Sequence, residues 1–130
     1  MYKIFKILLI IFFAFFYPHS LAISDQEKIK IGLLVPLTGD DKEIGQQIIK
    51  STRIALNDIG AKNLEIYLKD TNSNPNKTIK SALELKDMGI KIVIGPVFYK
   101  SLTYLNEIKE IIFLSLTNQT INLPSNVISS

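Results

Sequence analysis

Cysteine and tryptophan are absent from the 130-residue sequence, and its one histidine, His19, lies near the amino terminus. Without cysteine the chain can form no disulfide, and we expect no lipid anchor on a cysteine. Beyond residue 19 there is neither a histidine or cysteine ligand for zinc nor a Ser-His or Cys-His catalytic pair. No acidic loop has the spacing of a carboxylate metal site, so we expect neither a metal ion nor a cofactor.

The first 22 residues have the order of a secretory signal peptide. Two lysines form a positive head, residues 7–17 are an unbroken apolar and aromatic run, and a proline follows. The small residues Ser20 and Ala22 predict cleavage after Ala22. The run is shorter than the roughly 20 apolar residues that span a bilayer, which favours a cleaved signal over an uncleaved anchor. We expect an exported, periplasmic protein that meets the membrane only through this peptide.

Charge gives no reason to expect a nucleic-acid partner. Two of the 15 basic residues and none of the 12 acidic ones lie in the first 22 residues. Residues 23–130 therefore carry 13 basic and 12 acidic side chains. A nearly neutral domain lacks the basic surface that binds nucleic acid or an anionic membrane.

Residues 23–130 alternate short apolar runs with helical patterns. Strands are predicted at 29–35, 64–70, 90–94 and 111–116, with a fifth beginning at 127, and helices at about 42–59, 75–88 and 100–109. The strict alternation of 64–70 indicates a half-buried strand near a sheet edge. Strands that alternate with helices imply right-handed βαβ units, so the predicted fold class is α/β, a parallel sheet with helices on both faces.

Helical periodicity predicts which side of each long helix faces the sheet. For the first helix the inward set is Ile44, Ile48, Thr52, Ala55 and Ile59. For the second helix it is Ile79, Ala82, Leu83 and Lys86.

The topology predicts where a ligand would bind. In open parallel sheets, ligands bind at the carboxyl ends of the strands where the strand order reverses. If the second and third strands lie on opposite sides of the first, the loops after strands one and three face each other, with the loop after strand four beside them. These loops supply the candidate ligand-binding residues Thr38, Gly39, Tyr99, Thr117, Asn118 and Gln119. The alternative is purely structural, with Thr38 or Asp40 capping the first helix and Gly95-Pro96 forming a turn.

An enzymatic role is the weakest of the functions considered. Asp40 and Asp41 superficially match the acidic pair of phosphotransfer receiver domains, but the third strand ends at Gly95-Pro96 with no acceptor aspartate. No Walker loop, Gly-x-Ser-x-Gly or Gly-x-Gly-x-x-Gly pattern is present. We therefore expect no catalytic activity.

Residues 30–59 resemble the start of type I periplasmic binding proteins, such as the leucine/isoleucine/valine-binding proteins. The matching features are a strand followed by Pro36-Leu37-Thr38-Gly39, then Gly45, then Ala55-Leu56-Asn57, and later the loop at Gly95-Pro96. The resemblance implies a two-lobed protein that closes on a small molecule, of which residues 23–130 are the incomplete amino-terminal part of the first lobe. The implied function is that of an extracytoplasmic solute receptor, delivering an amino acid or similar ligand to the membrane subunits of an ABC importer.

The loop after the third strand departs from the amino-acid-binding members. In those proteins it carries serines or threonines that bind the ligand carboxylate, which by the resemblance adds Lys100 and Ser101 to the candidate ligand-binding residues. Here Tyr99 or Lys100 stands where a serine is expected. The sequence Gly-Pro-Val-Phe is also similar to a sister group that activates peptidoglycan synthases, penicillin-binding proteins of the cell envelope. An envelope interaction protein of that kind is the alternative function.

Overall fold

The structure, a computed structural model, describes residues 27–119 and 122–129; the predicted signal peptide lies outside this range. Five parallel strands form one sheet in the order β2-β1-β3-β4-β5. Their bounds are β1 Ile29–Val35, β2 Leu64–Asp70, β3 Ile92–Ile94, β4 Ile112–Ser115 and β5 Val127–Ser129. The predicted α/β class, the edge position of β2 and the reversal of strand order between β1 and β3 are confirmed.

Two α-helices join the first three strands, α1 at Lys42–Asp58 and α2 at Pro75–Asp87. The start of α2 follows its sequence signals, because Asn74 accepts a hydrogen bond from the Lys77 amide (3.0 Å) and a proline takes the first helical position. In the part of the chain that the structure describes, neither helix is long and apolar enough to cross a bilayer.

The helix predicted at 100–109 is wrong. Two 3₁₀ helices stand in its place, Tyr99–Leu102 and Leu105–Glu107. Between them Tyr104 has φ 68°, a left-handed conformation that an α-helix cannot contain. Strand β3 is also shorter than predicted, because the Ile90 amide donates to the Leu85 carbonyl (3.1 Å) and closes the end of α2.

One face of the sheet, here called the core face, carries the hydrophobic core. Leu34, Val93 and Phe113 point to it from three adjacent strands and are fully buried, and Val127 adds a fourth strand. Helix α2 and the 3₁₀ helices cover these side chains with Ala82, Leu85, Leu102 and Leu105.

The opposite face, here called the open face, is covered only in part. Helix α1 lies over β1, where Leu33 is fully buried. On the next three strands Ile92, Ile112 and Ile128 are 39%, 49% and 58% exposed. The predicted helices on both faces are confirmed, with α2 on the core face and α1 on the open face, but among the described residues α1 leaves β3, β4 and β5 partly exposed.

The predicted inward sets are right in part. Ile48 and Thr52 of α1 are half-buried, and in α2 Ala82 is buried and Ile79 packs against the core, whereas Ala55 is exposed. In α1 the buried residue is Gly45, while Ile44 is 42% and Ile59 is 68% exposed. In α2 the buried set is Thr78, Ser81, Ala82 and Leu85, so Leu83 was wrongly placed inward. Two buried hydroxyls explain the second error, because both bond to backbone carbonyls and are thereby tolerated in the interior.

Candidate ligand-binding crevice

The loop that follows β1 is held by Asp70, the last residue of β2. Its carboxylate oxygen Oδ1 accepts hydrogen bonds from the amides of Leu37 (2.8 Å) and Thr38 (3.2 Å). Oδ2 accepts the Thr38 hydroxyl at 2.6 Å. Parallel pairing sets Val35 opposite Asp70, so the carboxylate lies beside the loop that it binds.

The same carboxylate also organises the start of α2. It accepts a hydrogen bond from the backbone amide of Asn72 (2.9 Å) and forms an ion pair with Lys77. The Ser81 hydroxyl donates to the backbone carbonyl of Asp70 (2.9 Å). Burial disfavours the ionised form, but hydrogen bonds from Lys77, Thr38 and the backbone outweigh it and hold the pKa of Asp70 well below its usual range. Sequence reasoning missed Asp70; its signal was an acidic residue that ends an edge strand.

Gly39 serves the fold at this end of the sheet. Its φ is +83°, and a Cβ placed on it would lie 2.3 Å from Oδ1 of Asn72. The left-handed backbone favours glycine here, whereas the Asn72 side chain could move away from an added Cβ. The prediction that Thr38 or Asp40 caps α1 is wrong, because the N-cap residue is Asp41 and no side chain accepts a hydrogen bond there.

The loop after β3 presents two of its three candidates to solvent. Tyr99 and Lys100 are exposed, and Tyr99 is 51% accessible. Ser101 is 1% exposed, and its hydroxyl has no hydrogen-bond partner among the residues that are described. A ligand approaching this loop would therefore meet an aromatic ring and an ammonium group.

The loop after β4 is tied to its neighbours. The Leu116 amide and the Ser115 hydroxyl both donate to the Pro96 carbonyl, at 3.1 and 3.2 Å, which joins this loop to the one after β3. Thr117 is 5% exposed. Its hydroxyl accepts a hydrogen bond from the backbone amide of Gln119 (3.4 Å), and its backbone carbonyl accepts one from the Ser129 hydroxyl (2.7 Å).

The candidate residues therefore fall into two groups. Thr38, Gly39, Ser101 and Thr117 are engaged in loop structure or buried, whereas Tyr99, Lys100, Asn118 and Gln119 are at least partly accessible. Tyr99 and Gln119 line one cleft. Among the described residues no group of three or more histidine, cysteine, aspartate or glutamate side chains is placed to hold a metal ion. Ligand contact by the candidates remains a prediction.

Comparison with known proteins identifies the family. The sequence profile of the family described as "LppC putative lipoprotein" matches residues 14–130. The chain belongs to the LppC family. Membership implies an envelope location, although the family is described as one of lipoproteins and this sequence contains no cysteine.

The solved structures that match this fold include solute-binding proteins of ABC transporters and an LpoA protein. A solute-binding protein of an ABC transporter from Rhodopseudomonas palustris, solved with 3,4-dihydroxybenzoic acid, has a TM-score of 0.72 at 20% identity over 78% of this chain. The branched-chain amino acid binding protein LivJ from Streptococcus pneumoniae, solved with isoleucine, has a TM-score of 0.69 at 20% identity over 79% of this chain. LpoA from Haemophilus influenzae has a TM-score of 0.64 at 26% identity over 79% of this chain.

The chain is much shorter than these proteins. It covers 31% of the Rhodopseudomonas protein, 33% of LivJ and 19% of LpoA. None of the curated protein sequences matches it. The structural likeness therefore establishes the type I periplasmic-binding-protein fold of the first lobe, and the activity of a whole relative comes to this chain only as a proposal.

Proposed function

We propose that this chain is a non-catalytic interaction protein of the cell envelope that binds and activates a peptidoglycan synthase of the penicillin-binding class. Membership of the LppC family over residues 14–130 carries the proposal. The likeness to LpoA supports it, with 26% identity over 79% of this chain. This function was the alternative that the Gly-Pro-Val-Phe sequence favoured.

The state of the crevice supports the same choice. An amino-acid receptor needs free hydroxyl and amide donors for the ligand carboxylate. Here the hydroxyl and amide of Thr38 are bound to Asp70, and the hydroxyl of Ser101 is buried. The crevice is thus stabilised from within by the protein's own carboxylate.

Capture from the envelope tests this proposal. The exported chain, carrying a carboxyl-terminal affinity tag, is crosslinked in intact cells and purified, and fluorescent penicillin then reveals any synthase that comes with it. We expect a labelled synthase with the tagged chain and none with the same tag on an unrelated exported protein. Equal labelling in both samples, or none in either, would contradict the proposal.

A solute receptor of an ABC importer is the second candidate. The observation that favours it is the fold, shared with LivJ, together with the exposed Lys100 and Asn118 at the carboxyl ends of the strands. A thermal-shift screen with the standard amino acids discriminates the two functions. A saturable rise in the melting temperature with one amino acid supports the receptor, with the importer's membrane subunits as its partner.

Both functions require export, and we propose that residues 1–22 are a signal peptide removed after Ala22. The supporting pattern is a positive head, an apolar run and small residues before the cleavage point. Amino-terminal sequencing of the envelope protein should give Ile23 as the first residue. Recovery of the intact amino terminus would identify the segment as an uncleaved anchor.

A further inference from the structure

A cleft of about 430 Å³ opens between the connection from β3 to β4 and the connection from β4 to β5. Its base is apolar, because Leu102 is buried and Leu123 packs against the core. Aromatic rings and side-chain amides rise around this base, at Tyr99, Tyr104, Asn106 and Asn122. The cleft has the size and the mixed apolar and polar lining of small-molecule sites.

Two tyrosine rings at the cleft are open to solvent. Tyr99 is 51% and Tyr104 is 55% exposed. A half-exposed tyrosine offers a flat apolar face and a hydroxyl at its edge. The C–H face of a pyranose ring stacks on such a surface, while the hydroxyl groups of the sugar remain free to form hydrogen bonds.

The amides at the cleft are suited to those hydroxyl groups. Within residues 27–119 and 122–129, no hydrogen-bond partner occupies the side chains of Asn106 or Asn122. Each amide combines donors with an acceptor, which matches a sugar hydroxyl or an acetamido group. None of the described residues that line the cleft is charged. The lining therefore offers hydrogen bonds and aromatic surface to a ligand.

Backbone strain marks the same place. Tyr104 has φ 68° and Asn122 has φ 59°, so a left-handed residue lies in each of the two connections that form the cleft. The left-handed region is tolerated by asparagine but is a costly conformation for a bulky tyrosine. Strain of this kind concentrates where a side chain serves a ligand. Glycine at residue 104 would be less strained, but it would remove the ring.

We propose that this cleft is a carbohydrate-binding site that takes one or two uncharged sugar units. One pyranose stacks on Tyr104 or Tyr99, and the amides of Asn106 and Asn122 bind its hydroxyl or acetamido groups. The proposal rests on the lining of the cleft and does not depend on the proposed synthase function.

Saturation-transfer difference NMR on the exported chain tests the site with tri-N-acetylchitotriose and maltotriose as probes. We expect transfer from the protein to the ring protons of at least one trisaccharide at about 10 mM, since single weak sites bind in the millimolar range. L-leucine at the same concentration should give no transfer. Transfer to L-leucine alone would overturn the carbohydrate assignment.

Two glycine variants locate the binding while keeping the left-handed backbone. Tyr104→Gly removes a ring and Asn122→Gly removes an amide, and the melting temperature shows that each remains folded. We expect trisaccharide binding to weaken roughly fivefold or more in Tyr104→Gly, because an aromatic contact is lost. Tyr67→Phe is the control, since Tyr67 lies on edge strand β2 and donates to Glu65.

The outcomes are decisive in both directions. Weakened binding in both glycine variants and unchanged binding in Tyr67→Phe supports the site. Wild-type binding in both folded glycine variants, or no transfer to either trisaccharide, overturns it. Capture of a synthase is a separate readout, so failure of either proposal can be recognised without the other.

Discussion

The two faces of the sheet differ in how completely their side chains are buried, and strand β4 shows the difference within four residues. Phe113 and Ser115 point to the core face and are 0% and 1% exposed, whereas Ile112 and Leu114 point to the open face and are 49% and 38% exposed. The alternation of side chains along the strand therefore gives a buried hydrophobic core on one face and an exposed apolar surface on the other. Parallel sheets are normally covered on both faces, so the open face is the part of the fold that depends on further contacts.

The helices repeat this contrast. Helix α2 is fixed by buried Ala82 and Leu85 and by the contacts of Asp70 at its start. Helix α1 has one buried residue, Gly45, and a cavity of about 210 Å³ lies between this helix and the sheet. We infer that the core face and α2 carry most of the stability of the described part of the chain.

The largest expected loss of stability comes from substituting Phe113 of β4, and its neighbour Ile112 gives the comparison. Phe113→Ala should lower the free energy of unfolding by about 3–5 kcal/mol, because it leaves a cavity in the buried core. Ile112→Ala should lower it by less than about 1.5 kcal/mol, because half of that side chain is already in water. Urea unfolding of the exported chain measures both. Equal losses would show that the two faces are equally packed.

Asp70→Asn tests the contacts that join the loop after β1 to α2. It should lower the free energy of unfolding at neutral pH by about 2 kcal/mol, the range for hydrogen bonds to a charged group. Asp58→Asn is the matched control, because Asp58 is exposed at the end of α1. A similar loss in both variants would mean that the Asp70 contacts contribute no more than an ordinary surface charge.

The same carboxylate predicts a response to acid. Its pKa is lower in the folded protein than in the unfolded chain, so its stabilising effect is complete above about pH 4 and is lost as the pH falls further. The free energy of unfolding should therefore fall below about pH 4 more steeply in the wild type than in Asp70→Asn. Chemical unfolding at a series of pH values measures the difference; parallel curves would contradict it.

Gly45→Ala tests the tightest contact of α1. A Cβ at this position would lie 1.8 Å from the Pro36 carbonyl oxygen, so the helix must move away. We expect a net loss of about 1–2 kcal/mol, because strain exceeds the gain in helix propensity. Gln46→Ala, at an exposed neighbouring position, should be neutral or slightly stabilising. A stabilised Gly45→Ala variant would show that α1 adjusts freely.

The smallest effect is expected on the open face. Ile128→Lys should change the free energy of unfolding by no more than about 0.5 kcal/mol, because Ile128 is 58% exposed. It should nevertheless reduce binding of an apolar dye to the folded chain, since it places a charge in the apolar surface. Dye fluorescence that is unchanged in a folded variant would mean that the open face is not the apolar surface being detected.

Sequence reasoning succeeded where the pattern was local. The bounds of β1 followed from its apolar run, those of β2 from alternation, and the cap of α2 from Asn74 and Pro75. The strand order had been stated only as a condition for the crevice, and the structure meets that condition. It failed where tertiary contacts decide. The strained Tyr104 divides a predicted helix, and the buried hydroxyls of Thr78 and Ser81 take inward positions on α2 that the pattern did not predict.

For the candidate site, the sequence predicted which loops would form it but not the hydrogen bonds between them. Sequence reasoning proposed the loops at the carboxyl ends of the strands, which stays a prediction, and it could not show that Asp70 binds Thr38 or that Ser101 is buried. These contacts join residues that are far apart along the chain, and no local pattern records them.

The most direct test of the proposed function is a reconstituted synthase reaction. A purified penicillin-binding protein from the same cell polymerises and crosslinks lipid-linked peptidoglycan precursor, with and without the exported chain. The account predicts a saturable increase in crosslinked product with the wild-type chain and a smaller increase with the destabilised Phe113→Ala variant. An unchanged rate with folded wild-type chain present in excess would contradict the account.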